Sequence, residues 1–586
     1  MGIFDKNVKL QPKQQPSKGG SRATIFVFAM AALETMAFIS NGVSLFTYFY
    51  GYMNFSLTKS ATTLTNFMGT AFLLPLFGGF ISDTYLSRFK TCLIFGCLEI
   101  MGFVLLAVQA HFKQLRPFPC KDVAFSAKSH CESPTRSQEA ILFAGLYLVA
   151  LGTGGIKAAL PSLGADQFDE QDSREATSLS SFFNWYMFSL TLGAMLGVTF
   201  VVWVSSNLGW DWAFGVCAVA VSMGLLFLSM GLSVYRHYLP KGSPLVRILQ
   251  VLVAAIRKWR LPVPDMAGML HEVHDKEAVQ NQTLQRTDQF KCLDHAAIIT
   301  PEDGPVQASA VSGSWKLCTV TQIEETKILV RMLPIILTTV FMNTCLAQLQ
   351  TFSIQQSTTM NRKIGNFEVP GPSVPVIPLL FMFILLPVYD KVFVPLARKL
   401  TGIPTGITQL QRVGVGLVLS AISMAVSGVI ETRRKKVAME HGMVDSPGPL
   451  PISVFWLGIQ YAIFGMADMF TLAGMLDFFY AESSSGMKSL GTAISWCSLG
   501  FGYFTSTVVV SVVNKVSKGW LGSNNLNRDR LEYFYWVLGG VSVLNFGMYM
   551  VCACWYKYKK VQEEKSCNWD HIEESIDVSV GKDSTP

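Results

Sequence analysis

The residues best able to do chemistry in this sequence are charges placed inside apolar segments. Lys157 ends the string GTGGIK at 152–157, and Asp468 lies in the apolar run 460–476. A charge at the centre of a bilayer costs about 3 kcal/mol or more, so it is retained where a partner or a polar cavity stabilises it. Because these two charges have opposite signs and lie in opposite halves of the chain, we predict a solute pathway and hence a membrane transporter.

The composition indicates the elements that must position these charges. Of the 586 residues, 50% are apolar and only 15% are charged, whereas soluble domains carry about a quarter charged residues. Apolar stretches of about 20 residues, long enough to span a bilayer, recur in two sets of six. The segments lie near 24–49, 62–82, 91–110, 139–163, 177–204, 212–234, 328–354, 373–396, 410–430, 453–479, 488–513 and 532–556.

This pattern predicts an all-α membrane protein with about twelve transmembrane helices in two six-helix bundles. We expect a cytosolic amino terminus and first bundle at 1–235, a cytoplasmic linker at 236–326, a second bundle at 327–556 and a cytoplasmic tail at 557–586. The linker contains an amphipathic stretch, Ser243–Arg260, with apolar residues at helical spacing and a basic end. Such a stretch is typical of a helix that lies on the membrane surface.

The charges of the loops set the expected orientation. The segment before the first apolar stretch is polar and basic and contains no apolar core with a cleavage site, so we expect no signal peptide. The positive-inside rule then places the amino terminus in the cytosol. The rule is not satisfied everywhere, because the basic run 433–436 would lie outside.

Several function classes are disfavoured. The net charge of +7 is spread over loops and predicts no nucleic-acid partner. The cysteines lack metal-ligand spacing, and no nucleophile–base set is evident, so we expect neither a metal site nor an enzyme. Cys120 and Cys131 share a polar loop that should face outward, where a disulfide is one alternative and two free thiols are the other.

Longer motifs carry a family resemblance. The string GGFISD at 78–83, followed by Arg88 and Lys90, resembles the loop motif of the major facilitator superfamily. The segment 152–168 with FFNWY at 182–186 resembles the signature of the proton-dependent oligopeptide transporter family, and strings such as TNFMGT at 65–70 resemble its plant nitrate/peptide branch. The resemblance implies the major facilitator fold, with two bundles that give alternating access to a cavity near the membrane midplane.

The resemblance also implies roles for the two charges. The lysine that matches Lys157 faces the cavity and pairs with an acid on the tenth helix, where Asp468 stands here in place of the usual glutamate. We therefore predict that Lys157 and Asp468 form a gate between the bundles, broken by an anionic substrate or a proton. The alternative for Lys157 is a side chain that extends to the membrane interface.

Departures from the family pattern concern the proton and the substrate. Of the first-helix motif Glu-x-x-Glu-Arg only Glu34 survives, so Glu34 is the predicted proton-binding residue, and a permanently protonated, packed Glu34 is the alternative. Glu99 on the third helix is a further acid without an assigned role. Leu346 occupies the position at which nitrate-carrying members can hold a histidine.

The predicted lining of the pocket is apolar with scattered amides, and it suits an organic solute with one anionic end. The predicted substrate-binding residues are Lys157, Asn343, Gln350, Trp185 and Trp496, with Gln348, Phe341 and Phe352 nearby. We also expect Pro370, Pro372, Pro375 and Pro378 to kink the chain where the eighth helix begins, near this region.

One subgroup of the plant branch is associated with abscisic acid import, and the degraded first-helix motif, ADMFTL at 467–472 and the proline-rich eighth helix resemble it. The sequence therefore predicts proton-coupled import of a small organic anion, abscisic acid first, with no cofactor besides the proton. Gibberellin, low-affinity nitrate transport and a membrane receptor that does not transport are the alternatives.

Location and regulation follow from the same resemblance. The plasma membrane is the expected location, with the tonoplast as the alternative, and the oligomeric state is open. Thr91 matches a position phosphorylated in some nitrate-carrying relatives, so a protein kinase is a predicted partner; an unmodified capping or packing threonine is the alternative.

Overall fold

A computed structural model describes most of the chain in sixteen segments. They cover residues 19–55, 57–118, 133–169, 172–236, 244–262, 270–271, 284, 286–299, 315–364, 367–368, 375–403, 405–445, 448–484, 487–517, 519–521 and 526–558. The predicted disulfide partners Cys120 and Cys131 lie outside the described residues, as do Pro370 and Pro372.

The described residues contain twelve helices long and apolar enough to cross a membrane, as predicted. They are α1 (Ser21–Tyr52), α2 (Thr62–Thr84), α3 (Arg88–His111), α4 (Arg136–Ala165), α5 (Glu175–Asn207), α6 (Trp210–Ser233), α7 (Val320–Ser357), α8 (Val376–Thr401), α9 (Gln409–Glu440), α10 (Trp456–Glu482), α11 (Lys488–Val516) and α12 (Leu531–Trp555). Large apolar side chains on their outer faces, such as Leu544 at 72% exposure and Val508 at 59%, form the surface that lipid covers. The prediction of an all-α membrane protein is confirmed.

The chain divides into two compact units. One contains Met1–Leu245 and Leu329–Tyr556, and therefore both sets of membrane helices; the other contains Val246–Ile328. Helices α1–α6 form the first bundle and the helices from α7 to α12 form the second.

Glycines allow α3 and α4 to pack closely. A Cβ atom on Gly152 of α4 would lie 2.5 Å from the backbone nitrogen of Glu99 on α3, and one on Gly102 of α3 would lie 2.7 Å from the backbone nitrogen of Val149. Contacts this short are impossible for real Cβ atoms, so the two helices approach along a seam that only glycine permits. This seam brings Glu99 against the helix that carries Lys157.

The prolines of α8 act differently from the prediction. Pro375 precedes the helix and Pro378 lies in its first turn, where a missing backbone N–H costs nothing because that group has no partner in a helix. They therefore begin the helix and do not kink it. Pro387 and Pro395 lie farther along α8, and the π-helical turn Tyr389–Phe393 lies between them, as expected where prolines interrupt the hydrogen-bond ladder.

Short strands and ion pairs lie where α7 and α9 end. Strand β1 (Met360–Asn361) pairs in parallel with β4 (Leu450–Ser453), and β2 (Lys363–Ile364) pairs antiparallel with β3 (Phe367–Glu368). In the basic run 433–436, Arg434 is fully buried and its Nη2 lies 2.7 Å from Glu431 Oε1, while Lys435 Nζ lies 2.9 Å from Glu532 Oε2. Lys436 Nζ lies 3.8 Å from Glu440 Oε1, so three of the four charges that conflict with the positive-inside rule lie next to carboxylates.

The second unit contains a linker helix, Pro244–Arg257, whose Val251, Ala254 and Ala255 pack into a small core with Ile298 and Cys318. Burial raises the pKa of the Cys318 thiol to about 11, so it stays neutral and acts as an apolar filler. A second apolar stripe on the same helix is exposed: Val246, Leu249, Leu252 and Ile256, followed by Trp259. Docking of this stripe on a membrane surface stays a prediction.

Candidate functional site

The centre of the site is a buried ion pair inside the first bundle. Lys157 of α4 is 4% exposed and Glu34 of α1 is 2% exposed, and the Lys157 Nζ atom donates to Glu34 Oε1 at 2.8 Å. The hydroxyl of Thr153, one turn before Lys157, donates to the same oxygen, and the Thr35 hydroxyl donates to Glu34 Oε2 at 3.2 Å. Glu34 therefore accepts hydrogen bonds from one ammonium and two hydroxyl groups.

Aromatic rings surround the lysine on its other sides. The Lys157 ammonium lies 4.4 Å from the centre of the Phe38 ring and 5.4 Å from that of Trp496, within the range of cation–π attraction. Phe72 of α2 stacks on both Trp496 and Tyr503 of α11, at 6.0 and 5.9 Å between ring centres. Because Phe72 and Trp496 belong to different bundles, this stack joins the two bundles beside the lysine.

Glu99 lies next to this pair. It is 0% exposed, and neither carboxyl oxygen has a hydrogen-bond partner among the described residues. Burying an ionised carboxyl group without a partner costs several kcal/mol, so its surroundings favour a protonated Glu99.

Asp468 of α10 lines a small cavity in the second bundle. The cavity has room for about one water molecule, and its walls are formed by Asn343, Asp468, Thr471, Leu472, Met475, Ser495 and Leu499. Asn343 Nδ2 donates to Ser498 Oγ at 2.9 Å, whereas the hydroxyls of Thr471 and Ser495 have no partner within the described residues. The cavity is thus an apolar space with unused hydrogen-bonding groups and one carboxyl.

The predicted Lys157–Asp468 ion pair is not formed in this structure. Lys157 pairs with Glu34 instead, because Glu34 lies within the same bundle and reaches the ammonium directly, whereas Asp468 faces its own cavity. The sequence did contain the relevant signal, since Glu34 was singled out as an isolated acid in the first helix. A gating role for Lys157 and Asp468 stays a prediction about another conformation.

The other predicted lining residues are dispersed. Trp496 and Asn343 lie at the site, but the Trp185 indole donates to Asp390 Oδ2 at 3.1 Å, away from the cavity. Gln350 accepts from the Tyr503 hydroxyl at 2.5 Å, and Gln348 donates to Ser506 Oγ at 2.8 Å. Trp185 does not line the small cavity in this conformation, and its role in substrate binding stays a prediction.

A different set of contacts closes one end of the two bundles, the end at which α2 ends and α3 begins. Asp83 accepts hydrogen bonds from the backbone N–H groups of Leu490 at 2.8 Å and Ser489 at 3.4 Å, which begin α11. Arg88 forms an ion pair with Asp166 and donates to Ser489 Oγ at 3.0 Å. We call this set of contacts the latch; it lies at the end predicted to face the cytosol.

A second contact between the bundles lies at the same end. Asn184 of α5 donates to Asp390 Oδ1 of α8 at 2.9 Å and accepts from Arg412 Nη2 of α9 at 2.6 Å. Asp390 and Arg412 could not be predicted as functional residues, since nothing in their local sequence shows that they meet Asn184. With both contacts formed, the predicted cytosolic end is closed.

Thr91 lies one turn into α3, behind the latch residue Arg88. It is 0% exposed, and its hydroxyl donates to the Ser87 carbonyl at 3.2 Å. A kinase cannot reach this hydroxyl in the closed conformation. Phosphorylation of Thr91 stays a prediction.

Comparisons with known proteins agree with this architecture. The model of the POT family (PTR2) matches residues 89–526. Protein NRT1/PTR family 4.5 of Arabidopsis thaliana is 45% identical over 546 residues, which cover 92% of this chain and 94% of that protein. Protein NRT1/PTR family 4.6 of the same plant is 42% identical over 571 residues, covering 92% and 94%.

Solved structures support the fold. The crystal structure of an auto-inhibited POT family peptide transporter superposes with a TM-score of 0.60 at 16% identity, covering 93% of this chain and 99% of that one. The POT family transporter PepTSo superposes with a TM-score of 0.59 at 17% identity, covering 91% and 98%. The chain therefore belongs to the POT family, in its NRT1/PTR branch, and is a multi-pass membrane transporter.

Proposed function

We propose that this transporter imports a small organic anion, with abscisic acid as the first candidate, together with protons. The observation that carries the proposal is the buried Lys157 ammonium, which is neutralised by a single exchangeable carboxylate, Glu34, at 2.8 Å. A solute carboxylate that takes the place of Glu34 keeps the cation neutralised, so binding of an anion does not leave a charge unpaired in the membrane.

The same exchange supplies the coupling to protons. When the solute takes Lys157, Glu34 loses its counter-cation but remains buried, and a buried carboxyl group without a cation binds a proton. Each anion therefore enters with a proton, and an acidic exterior drives import. Release at the neutral cytosolic side reverses both steps.

The surroundings favour an organic solute. Leu472, Met475 and Leu499 supply apolar contacts, while the free hydroxyls of Thr471 and Ser495 can bond to a polar group at the far end of the solute. Abscisic acid combines a ring, a conjugated chain and one carboxylate, and the subgroup resemblance of the sequence points the same way. Nitrate has no apolar body to use these contacts.

Transport requires the cavity to change size. The closed cavity has room for about one water, so a solute of this size binds only when the bundles separate on the outer side, and it leaves when the latch opens. In this cycle Lys157 forms an ion pair with Asp468 after the solute has left. This is the gating role expected from the sequence. We place the protein in the plasma membrane, with the tonoplast as the alternative.

The test is uptake of labelled abscisic acid and labelled nitrate by expressing cells at about pH 5.5 and about pH 7.5, values on either side of the range in which buried carboxyl groups commonly titrate. Lys157→Ala removes the anion site, and Lys436→Ala, at an exposed position of the basic run, controls for the loss of one charge. Cells without the protein correct for diffusion of protonated abscisic acid, and surface biotinylation gives uptake per molecule.

The proposal is supported if acid stimulates the uptake of abscisic acid, and if this uptake is lost in Lys157→Ala but retained in Lys436→Ala. Uptake of nitrate alone assigns the protein to the nitrate carriers despite Leu346. If abscisic acid raises the melting temperature of the purified protein but is not taken up by cells, the protein is a receptor and the proposal fails.

A further inference from the structure

We propose that Glu99 is a second proton-binding carboxyl of this site and that it competes with Glu34 for the single Lys157 ammonium. The geometry on which this rests is the seam between α3 and α4, where the backbone of Glu99 packs against Gly152, next to the Thr153 that bonds Glu34. Nothing in the family resemblance assigns a role to this position.

Two carboxyl groups near Lys157 depend on the same cation. In this conformation two carboxyl groups, Glu34 and Glu99, share one cation, Lys157, which is already paired with Glu34, while Asp468 faces its own cavity. The charged groups that act electrostatically on Glu99 are Glu34 of α1 and Lys157 of α4, and Glu99 in turn acts on the thiol of Cys217 on α6. That thiol is neutral when buried, so among the described residues Lys157 is the cation that acts on Glu99.

The charge balance determines how many protons Glu34 and Glu99 hold together. In a low-dielectric site the net charge stays near zero, so the number of protons on the two carboxyl groups equals two minus the number of cations that they neutralise. The empty site therefore holds one proton, on Glu99, and the site with an anion on Lys157 holds two. Either carboxyl group alone preserves the uptake of one proton with each anion.

The presence of a second carboxyl group explains how a chain with an incomplete first-helix motif can retain coupling between anion and proton transport. If Glu34 is lost, Glu99 becomes the counter-ion of Lys157 and ionises. If Glu99 is lost, Glu34 continues as before. Loss of coupling requires the removal of both carboxyl groups.

Infrared spectroscopy of the purified full-length protein in D₂O at neutral pD tests the proton count without any substrate. The carboxylic acid C=O band, which protonated carboxyl groups alone produce, is compared between the wild type and three single variants. We expect Glu99→Gln to lose one carboxyl group from this band, because the protonated group is gone. Glu34→Gln should lose the same amount, because Glu99 ionises to pair with Lys157. Lys157→Gln should gain one, because Glu34 then binds a proton.

An unchanged band in Glu34→Gln would show that Glu99 does not compete for the lysine, and an unchanged band in Glu99→Gln would show that Glu99 was ionised. Either result overturns the inference. Because this readout involves no substrate, it remains decisive even if abscisic acid is not transported, so its failure is distinct from failure of the proposed function.

An uptake experiment, which rests on the proposed function, tests whether either carboxyl group alone retains proton coupling. The ratio of abscisic acid uptake at acidic and neutral pH should stay within twofold of the wild type in each single glutamine variant and fall to one in Glu34→Gln/Glu99→Gln. Exchange of internal for external abscisic acid at equal pH shows that each variant is folded. Loss of acid stimulation in Glu34→Gln alone, with exchange retained, contradicts the inference.

Discussion

Removal of Asp83 should open the predicted cytosolic end. The Asp83 carboxylate accepts the backbone N–H groups of Ser489 and Leu490 at the start of α11, and its Oδ1 lies 3.9 Å from Arg88. Asp83→Ala removes a charged cap from that helix, and such a loss costs about 1–2 kcal/mol. The cap forms only when the bundles meet at this end, so the cost falls on the closed conformation.

A loss of about 1–2 kcal/mol shifts the balance between closed and open conformations about 5- to 30-fold towards open. Distances between spin labels at Tyr85 in the first bundle and Leu400 in the second, both exposed, report this shift by double electron–electron resonance. The chain has 12 cysteines, so the labels must be attached through unnatural amino acids. We expect a new, longer distance population in Asp83→Ala.

The matched control is Asp445→Ala. Asp445 also pairs with an arginine, Arg528, at 2.8 Å, but both side chains are 63% exposed, and exposed pairs contribute about 0–1 kcal/mol. A distance distribution for Asp83→Ala that matches the wild type, or an equal change in Asp445→Ala, would refute the role of the latch.

Three further changes test neighbouring parts of the site. Gly152→Val places a Cβ atom 2.5 Å from the α3 backbone and should destabilise the protein by about 1–3 kcal/mol. The control is Gly215→Ala, where the added Cβ meets nothing within 4 Å. A melting temperature of Gly152→Val no lower than that of this control would contradict the close packing of α3 and α4. Trp496→Leu removes a ring that helps hold the Lys157 ammonium and should raise the KM for the anion several-fold, whereas Trp203→Leu on the exposed face should not. Thr91→Asp puts an unpaired charge at a fully buried position and should lengthen the distance between the labels at Tyr85 and Leu400. The isosteric Thr91→Val should leave this distance unchanged. Identical distances in the two variants would exclude regulation through a charge at Thr91.

The membrane architecture could be predicted because long apolar segments have one stable solution in lipid, the helix. Lys157, Glu34 and Asp468 could be singled out for a related reason, since a charge in such a segment is rarely without a role. Which acid pairs with the lysine could not be predicted, because both lie far from Lys157 in sequence and their distance depends on the conformation of the bundles. The structure pairs Lys157 with Glu34.

Other features depend on tertiary contacts alone. Trp185 has an ordinary position in an apolar helix, and only the approach of α8 gives its indole the Asp390 partner. The prolines at the start of α8 could not be distinguished from kinking prolines until the first turn of the helix was located. Prolines alone also do not predict that the turn between Pro387 and Pro395 is π-helical.

The central claim is that an anion displaces Glu34 from Lys157 and thereby brings a proton into the site. Calorimetric titration of the purified protein with abscisic acid at neutral pH, in two buffers that differ in ionisation enthalpy, measures the protons taken up per anion bound. The account predicts uptake of about one proton per anion and binding at least about tenfold weaker in Lys157→Ala, the loss of one charged contact. Binding without proton uptake, or equal affinity in Lys157→Ala, would contradict it.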